Sequence, residues 1–197
     1  MRFILASASP RRKELLTSAG FTYEVHPADI EEKIPCGTPT ESVAEVLAKQ
    51  KAESVLEKYP DAVVLGSDTI VVLDRKILGK PHDKTEASEM LHSLSGGKHQ
   101  VYTGLCVCSK NKTVSLTSCT DVYFHKLSDE LINAYIETGE PMDKAGAYGA
   151  QGLGSILVEK IDGDFFTVMG LPIAESVRLL AEFGIKGTLP VCNRYFA

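Results

Sequence analysis

Phe3-Ile4-Leu5-Ala6-Ser7-Ala8-Ser9-Pro10-Arg11-Arg12-Lys13-Glu14-Leu15-Leu16 carries the chain from an apolar run through a polar corner into a helix. Phe3 to Ala6 has the continuous hydrophobicity of a buried strand. Ser9 fits the N-cap, and Pro10 fits the first helical position, where its missing N–H costs nothing. Gly20 marks the stop. Arg11, Arg12 and Lys13 therefore sit at the positive end of the helix macrodipole, where cations are unfavourable. Two readings are open. Either this is a solvated helix start with ordinary surface arginines, or it is a corner where free backbone N–H groups and guanidinium groups hold an anion such as phosphate.

Working outward, Phe21 to His26 alternates as a second strand, and Pro27 to Pro39 is a polar loop carrying Asp29, Glu31 and Glu32. Thr38-Pro39-Thr40-Glu41 has the form of a capping box and opens a long helix to about Tyr59. Ala62 to Gly66 and Thr69 to Leu73 read as two buried strands flanking Ser67-Asp68, and Asp74-Arg75-Lys76 turns the chain back into Ile77-Leu78. Asp83 to Ser95 predicts a helix with an Asp83/Glu86 capping box, stopped at Gly96-Gly97. His99 to Ser109 and Thr113 to Lys126 predict a long antiparallel hairpin. Ser128 caps a further helix to Thr138. A glycine-rich segment spans Gly146 to Gly154, Ser155 to Lys160 reads as a strand, and a last helix follows Gly170-Leu171-Pro172 and ends near Phe183-Gly184. Residues 1–184 form the expected domain, and residues 185–197 an irregular tail. Strands alternate with helices early and follow one another in the middle. That order predicts an α/β fold with a mixed sheet, and it admits a split into two lobes with a cleft between them.

Bulk properties narrow the class. Of 197 residues, 44% are hydrophobic and 24% charged, as in an ordinary globular protein. The net charge of −5 argues against broad nucleic-acid or anionic-membrane binding, so local basic clusters point to a small anionic ligand. No apolar run is long enough for a bilayer-spanning helix, and the run after Arg2 is too short for a secretory signal. The odd set of cysteines, Cys36, Cys106, Cys108, Cys119 and Cys192, contains no Cys-x-x-Cys pair and reads as reduced packing residues of a cytoplasmic protein. The scattered histidines lack metal-ligand spacing.

Four positions could carry chemistry. Lys51 falls inside the apolar arc formed by Val43, Ala44, Val46, Leu47, Ala48 and Val55, so it either snorkels to water or meets an anion. Asp68 stands at a strand end, a place suited to holding Mg²⁺ or orienting water, or else to satisfying a turn. Lys80, in Gly79-Lys80-Pro81, is either a point charge for phosphate or a solvated loop lysine. Glu31-Glu32 are candidate metal ligands or bases, or merely solvated; on an extended segment only one of them can face inward. Gly96-Gly97-Lys98 lacks the spacing of a phosphate loop. The glycine-rich segment permits close backbone approach to a ligand, and equally suits a flexible loop.

These blocks together resemble the Maf family of nucleoside triphosphate pyrophosphatases over residues 3 to 184. The resemblance rests on Leu5 to Arg12, Glu31-Glu32, Lys51-Ala52, Gly66-Ser67-Asp68-Thr69, Gly79-Lys80-Pro81 and Leu94-Ser95-Gly96. Its most specific stretches are Asp143 to Gly152 and Val168 to Pro172. The resemblance implies a fold like that of inosine triphosphate pyrophosphatases, an elongated mixed sheet in two lobes with a central cleft. It implies metal-dependent hydrolysis of a nucleotide to its monophosphate and pyrophosphate, with Mg²⁺, Mn²⁺ or a similar cation held by Glu32 and Asp68. Asp68 matches the family's proton acceptor; Glu32 is the alternative base, and Lys51 and Lys80 are the further catalytic positions. Ser7, Ser9, Arg11, Arg12, Thr69 and Gln151 would bind substrate. Arg11, Thr69 and Gln151 match the branch that acts on dTTP and UTP, in a house-cleaning role that could extend to modified pyrimidine nucleotides. Substrates of the related branch, 7-methyl-GTP or other purine triphosphates, are the alternative, as is a nucleotide-sensing regulator of septum formation with little turnover. A homodimer is a family expectation.

Overall fold

The computed structural model describes residues 1–189. The chain is a mixed α/β protein whose strands are β1 (Phe3–Leu5), β2 (Glu24–Val25), β3 (Val63–Leu73), β4 (Lys76–Leu78), β5 (Lys98–Ser109), β6 (Lys112–Phe124) and β7 (Val158–Asp162). They form one seven-stranded sheet of order β2-β1-β3-β5-β6-β7, with β4 paired to β3. The sheet is mixed: β1 lies parallel to β2 and β3, while β3–β4 and β6–β7 are antiparallel. The helices are α1 (Pro10–Ser18), α2 (Thr40–Lys58), α3 (Lys84–Leu94), α4 (Asp129–Glu137), α5 (Phe165–Met169) and α6 (Ile173–Glu182).

The chain divides into two compact units. Among the described residues, the first comprises 1–68, 103–118 and 170–189; the second comprises 69–102 and 119–169. In the first, Ile4, Ala6, Val64, Cys106 and Cys108 pack against Ala48, Ala52 and Val55 of α2. Two glycines let this helix lie close to the sheet. A Cβ at Gly66 would collide with the Ala48 carbonyl and with Ala52, and one at Gly104 would collide with the Ala44 backbone. In the second unit, Met90, Leu91 and Leu94 of α3 and Ile132, Tyr135 and Ile136 of α4 enclose a core with Val101, Val122, Phe124 and Tyr148.

Several local expectations need correction. Ala62 to Leu73 holds one continuous strand rather than two, because Ser67 and Asp68 keep extended backbone within β3. The strand expected over Phe21 to His26 contracts to Glu24–Val25. Thr38 does not cap α2: its hydroxyl turns back to the Pro35 carbonyl at 2.8 Å, and Pro39 occupies the cap position. Ser9 precedes α1 as expected but bonds through its carbonyl, to Lys13 N, with no side-chain cap. Asp83 does cap α3, accepting from Glu86 N at 2.8 Å, but the Glu86 carboxylate takes the His82 N–H instead of closing the box on Asp83. A short 3₁₀ turn over Glu140–Asp143 precedes the glycine-rich segment, which is itself ordered by 3₁₀ turns overlapping it at Ala145–Ala147 and Gly152–Leu157, so the strand expected from Ser155 begins only at Val158. Cys106 and Cys108 are buried free thiols, as packing residues should be, whereas Cys36 and Cys119 are exposed. The expected tail starts irregularly but docks: Ile185 is buried, and Thr188 bonds the Gly20 carbonyl through both N and Oγ1. Its remainder, with Cys192, lies outside the described residues.

Candidate active site

In the first unit, α2 delivers Lys51 to the sheet surface beside Gly66, and β3 delivers Asp68. The Lys51 ammonium stands between two carboxylates, 2.5 Å from Asp68 Oδ1 and 2.7 Å from Glu32 Oε1. The Lys51 and Asp68 side chains are only 16% and 13% exposed, and Glu32 is 48% exposed. This resolves the anomaly in the helix pattern. Lys51 does meet an anion, supplied by the chain itself. A partly buried lysine of this kind is tolerated because opposite charges and hydrogen bonds replace its hydration.

Glu32 reaches this position from a loop that has no secondary structure. What holds that loop has no signal in the residue pattern. Gln50, one residue before Lys51, brackets Lys33, one residue after Glu32: its Nε2 donates to the Lys33 carbonyl at 2.5 Å and its Oε1 accepts from Lys33 N at 3.1 Å. A primary amide that satisfies both backbone groups of one residue imitates a strand partner and fixes the direction of the segment. The alternation expected for adjacent carboxylates follows. Glu32 turns inward, and Glu31 pairs with exposed Lys33 at 3.2 Å.

The corner after β1 is also internally bonded. Ser7 is buried, and its hydroxyl accepts from Ser9 N at 3.2 Å and from Arg12 Nη1 at 3.1 Å. Arg12 Nε donates to the Gly170 carbonyl at 2.8 Å, which also accepts from Ser67 Oγ at 3.0 Å. One carbonyl thus links the basic corner to the residue preceding Asp68. Gly170 adopts φ +102, a conformation that side chains disfavour. Burial presses the Arg12 guanidinium below its usual range; Asp68 and Glu32 oppose that push, and Arg11 adds to it. Arg12, Arg11, Asp68 and Glu32 therefore share one electrostatic neighbourhood. Arg11 itself is half-buried.

The remaining expected positions belong to the second unit. Thr69 follows Asp68 in β3 and is half-buried, and Lys80 is exposed after β4. The neighbouring Gly79 carbonyl accepts from Gly146 N at 3.0 Å, which ties the Lys80 loop to the glycine-rich segment. Gln151 lies in that segment, half-buried on extended backbone.

The donor chemistry suits a divalent cation. Two carboxylates completed by phosphate oxygens are a common protein share of a Mg²⁺ shell. Among the described residues, no group of three or more His, Cys, Asp or Glu side chains gathers into a site made by the protein alone.

The site is thus an α/β sheet that sets a lysine between two acids, with an internally bonded arginine in the same electrostatic neighbourhood. A model described as Maf-like protein matches residues 2–183, and the chain belongs to that family. It is 53% identical over 185 residues to a dTTP/UTP pyrophosphatase of Bacillus pumilus, spanning 93% of this chain and 97% of that one. It is 51% identical over 185 residues to a protein of the same name from Bacillus velezensis, spanning 94% and 98%. The Staphylococcus aureus Ham1 protein is 13% identical and covers 80% of each chain at a TM-score of 0.48, a likeness too low to add to the fold assignment. No helix among the described residues is long and apolar enough to cross a membrane.

Proposed function

We propose that the protein hydrolyses dTTP and UTP to the nucleoside monophosphate and pyrophosphate. The observation that carries this reading is the Glu32–Lys51–Asp68 cluster, in a chain about half identical to proteins bearing that name. The oxygen of a water molecule bonds to the α-phosphorus, the bond to the β-phosphate bridge breaks, and pyrophosphate leaves with the electron pair. Asp68 accepts the proton of that water, and Lys51 holds the Asp68 carboxylate in place through Oδ1. Arg12, fixed by Ser7 and Gly170, adds positive charge without having to reorganise, and Arg11 and Lys80 are proposed to meet the phosphates. Glu32 and Asp68 are the groups that would hold a divalent cation, Mg²⁺ or Mn²⁺. Such an ion would neutralise phosphate charge and lower the pKa of the attacking water. Arg11, Thr69 and Gln151 are proposed to select the base. A cytoplasmic setting is part of this reading.

The test is product analysis with a panel of nucleoside triphosphates and Mg²⁺ or Mn²⁺. Release of pyrophosphate and monophosphate is expected, fastest from dTTP or UTP. A folded protein that yields no pyrophosphate from either would overturn the proposal. Asp68→Asn should keep its fold by circular dichroism and lose at least about 100-fold in kcat, the usual scale for a lost general base.

A further inference from the structure

The glycine-rich segment has the composition of a mobile loop, yet two side chains from outside it fasten it at both flanks. Tyr135, buried on α4, accepts from Gly149 N at 3.1 Å through its hydroxyl. That hydroxyl donates to Glu140 Oε1 at 2.9 Å. Glu140 Oε1 also accepts from Gly154 N at 3.0 Å, and Oε2 accepts from Leu153 N at 3.1 Å. Gln151 lies between these fastened points. The glycines make the close fit possible. Gly152 adopts φ +76, and a Cβ there would stand 2.9 Å from Glu140 Oε2; a Cβ at Gly154 would collide with the Gly149 carbonyl and the Tyr135 hydroxyl.

Lys144 completes the arrangement from below, donating to the Glu140 carbonyl at 2.7 Å and to Asp143 at 2.6 Å. Burial alone would raise the Glu140 carboxyl. The bonds from Gly154, Leu153 and Tyr135, with the charge of Lys144, outweigh it and hold the group below the ordinary carboxylate range. The clamp is therefore charged at neutral pH, and its hydrogen bonds are charge-assisted.

We propose that Glu140, acting with Tyr135, is a positioning residue that fixes Gln151 and so sets the discrimination between pyrimidine and purine triphosphates. This rests on the hydrolase reading above. A side-chain amide rejects the wrong base by leaving its own polar groups unpaired, which requires that the amide cannot move to accommodate that base. Glu140 touches no reacting atom in this scheme. Its removal should loosen selection more than it slows turnover.

The test compares Glu140→Gln, Tyr135→Phe and Ser128→Ala with the wild type. Ser128 caps α4 by accepting from Leu131 N at 3.3 Å, so Ser128→Ala weakens the same helix while leaving the clamp intact. The ratio of kcat/KM for dTTP to that for GTP should fall about tenfold in Glu140→Gln and Tyr135→Phe, with kcat for dTTP largely kept, and stay unchanged in Ser128→Ala. Amide hydrogen exchange across Gly149 to Gly154 should quicken about tenfold in Glu140→Gln. An unchanged ratio in folded Glu140→Gln, an equal fall in Ser128→Ala, or unchanged exchange would each overturn the proposal. A wild type that releases no pyrophosphate from dTTP would overturn the hydrolase reading instead, and the exchange data would still decide whether the clamp exists.

Discussion

Lys51 occupies a place on α2 that its neighbours would assign to an apolar side chain, and that mismatch makes it legible in the residue pattern alone. Asp68, a carboxylate in an otherwise buried stretch, stands out in the same way, whereas the acidic pair lies in a polar loop and reads equally as solvated. Gln50 and Gly170 are not legible in this way. Gln50 acts on backbone groups 17 positions away, and Gly170 accepts from residues 103 and 158 positions away. Neither is unusual in type, and no local pattern encodes such a partner. Gln50→Ala tests how much the bracket matters. With the loop released, Glu32 loses its fixed approach to Lys51. We expect kcat for dTTP to fall about tenfold, while the stability lost is that of two surface hydrogen bonds, about 1–2 kcal/mol. Steady-state kinetics beside urea unfolding would show both.

At the scale of elements, the longer helices and their order follow from periodicity and from Pro, Gly and Asp/Ser signals, whereas α5, one short turn-and-a-half over Phe165–Met169, has no expected counterpart because so brief a segment shows no period. Boundaries follow less well, for physical reasons. Ser67 and Asp68 interrupt an apolar run and so read as a break. The strand instead continues, because the Ser67 hydroxyl finds the Gly170 carbonyl and Asp68 finds Lys51. Polar residues in a strand are tolerated where partners arrive from elsewhere. Gly66 reads as part of a strand and a motif, but its packing role has no local signature, since it depends on which helix lies above it. Gly66→Ala should lift α2 from β3 and cost about 1–3 kcal/mol by overpacking. Because Lys51 rides on that helix and Asp68 on that strand, turnover should fall with it. Denaturant unfolding and activity of the same sample check the pair of effects.

For the whole molecule, composition and charge bound the chain as an ordinary globular protein, but buried polar groups with stability consequences lie beyond their reach. His99 is one. It is 1% exposed, stands 2.8 Å by Nε2 from the Tyr148 hydroxyl, and packs edge-on to Phe124. Burial, opposed by the charge of Asp121, lowers it from 6.5 to about 4. The unfolded chain therefore binds a proton that the folded chain refuses between these values. Stability from this residue is full above about pH 6.5 and is lost as pH falls toward 4, by about 2 kcal/mol between pH 7 and pH 5. Urea unfolding at both pH values should show that difference in the wild type and a correspondingly smaller one in His99→Phe.

The lysine between the two acids has a thermodynamic corollary. Lys51 already serves as a counterion, so a dissolved divalent cation finds the two carboxylates engaged. Calorimetric titration with Mg²⁺ alone should register feeble uptake, and a non-hydrolysable dTTP analogue should strengthen it. By reciprocity, an ion strengthened in this way would tighten the analogue by the same factor, so each would make room for the other.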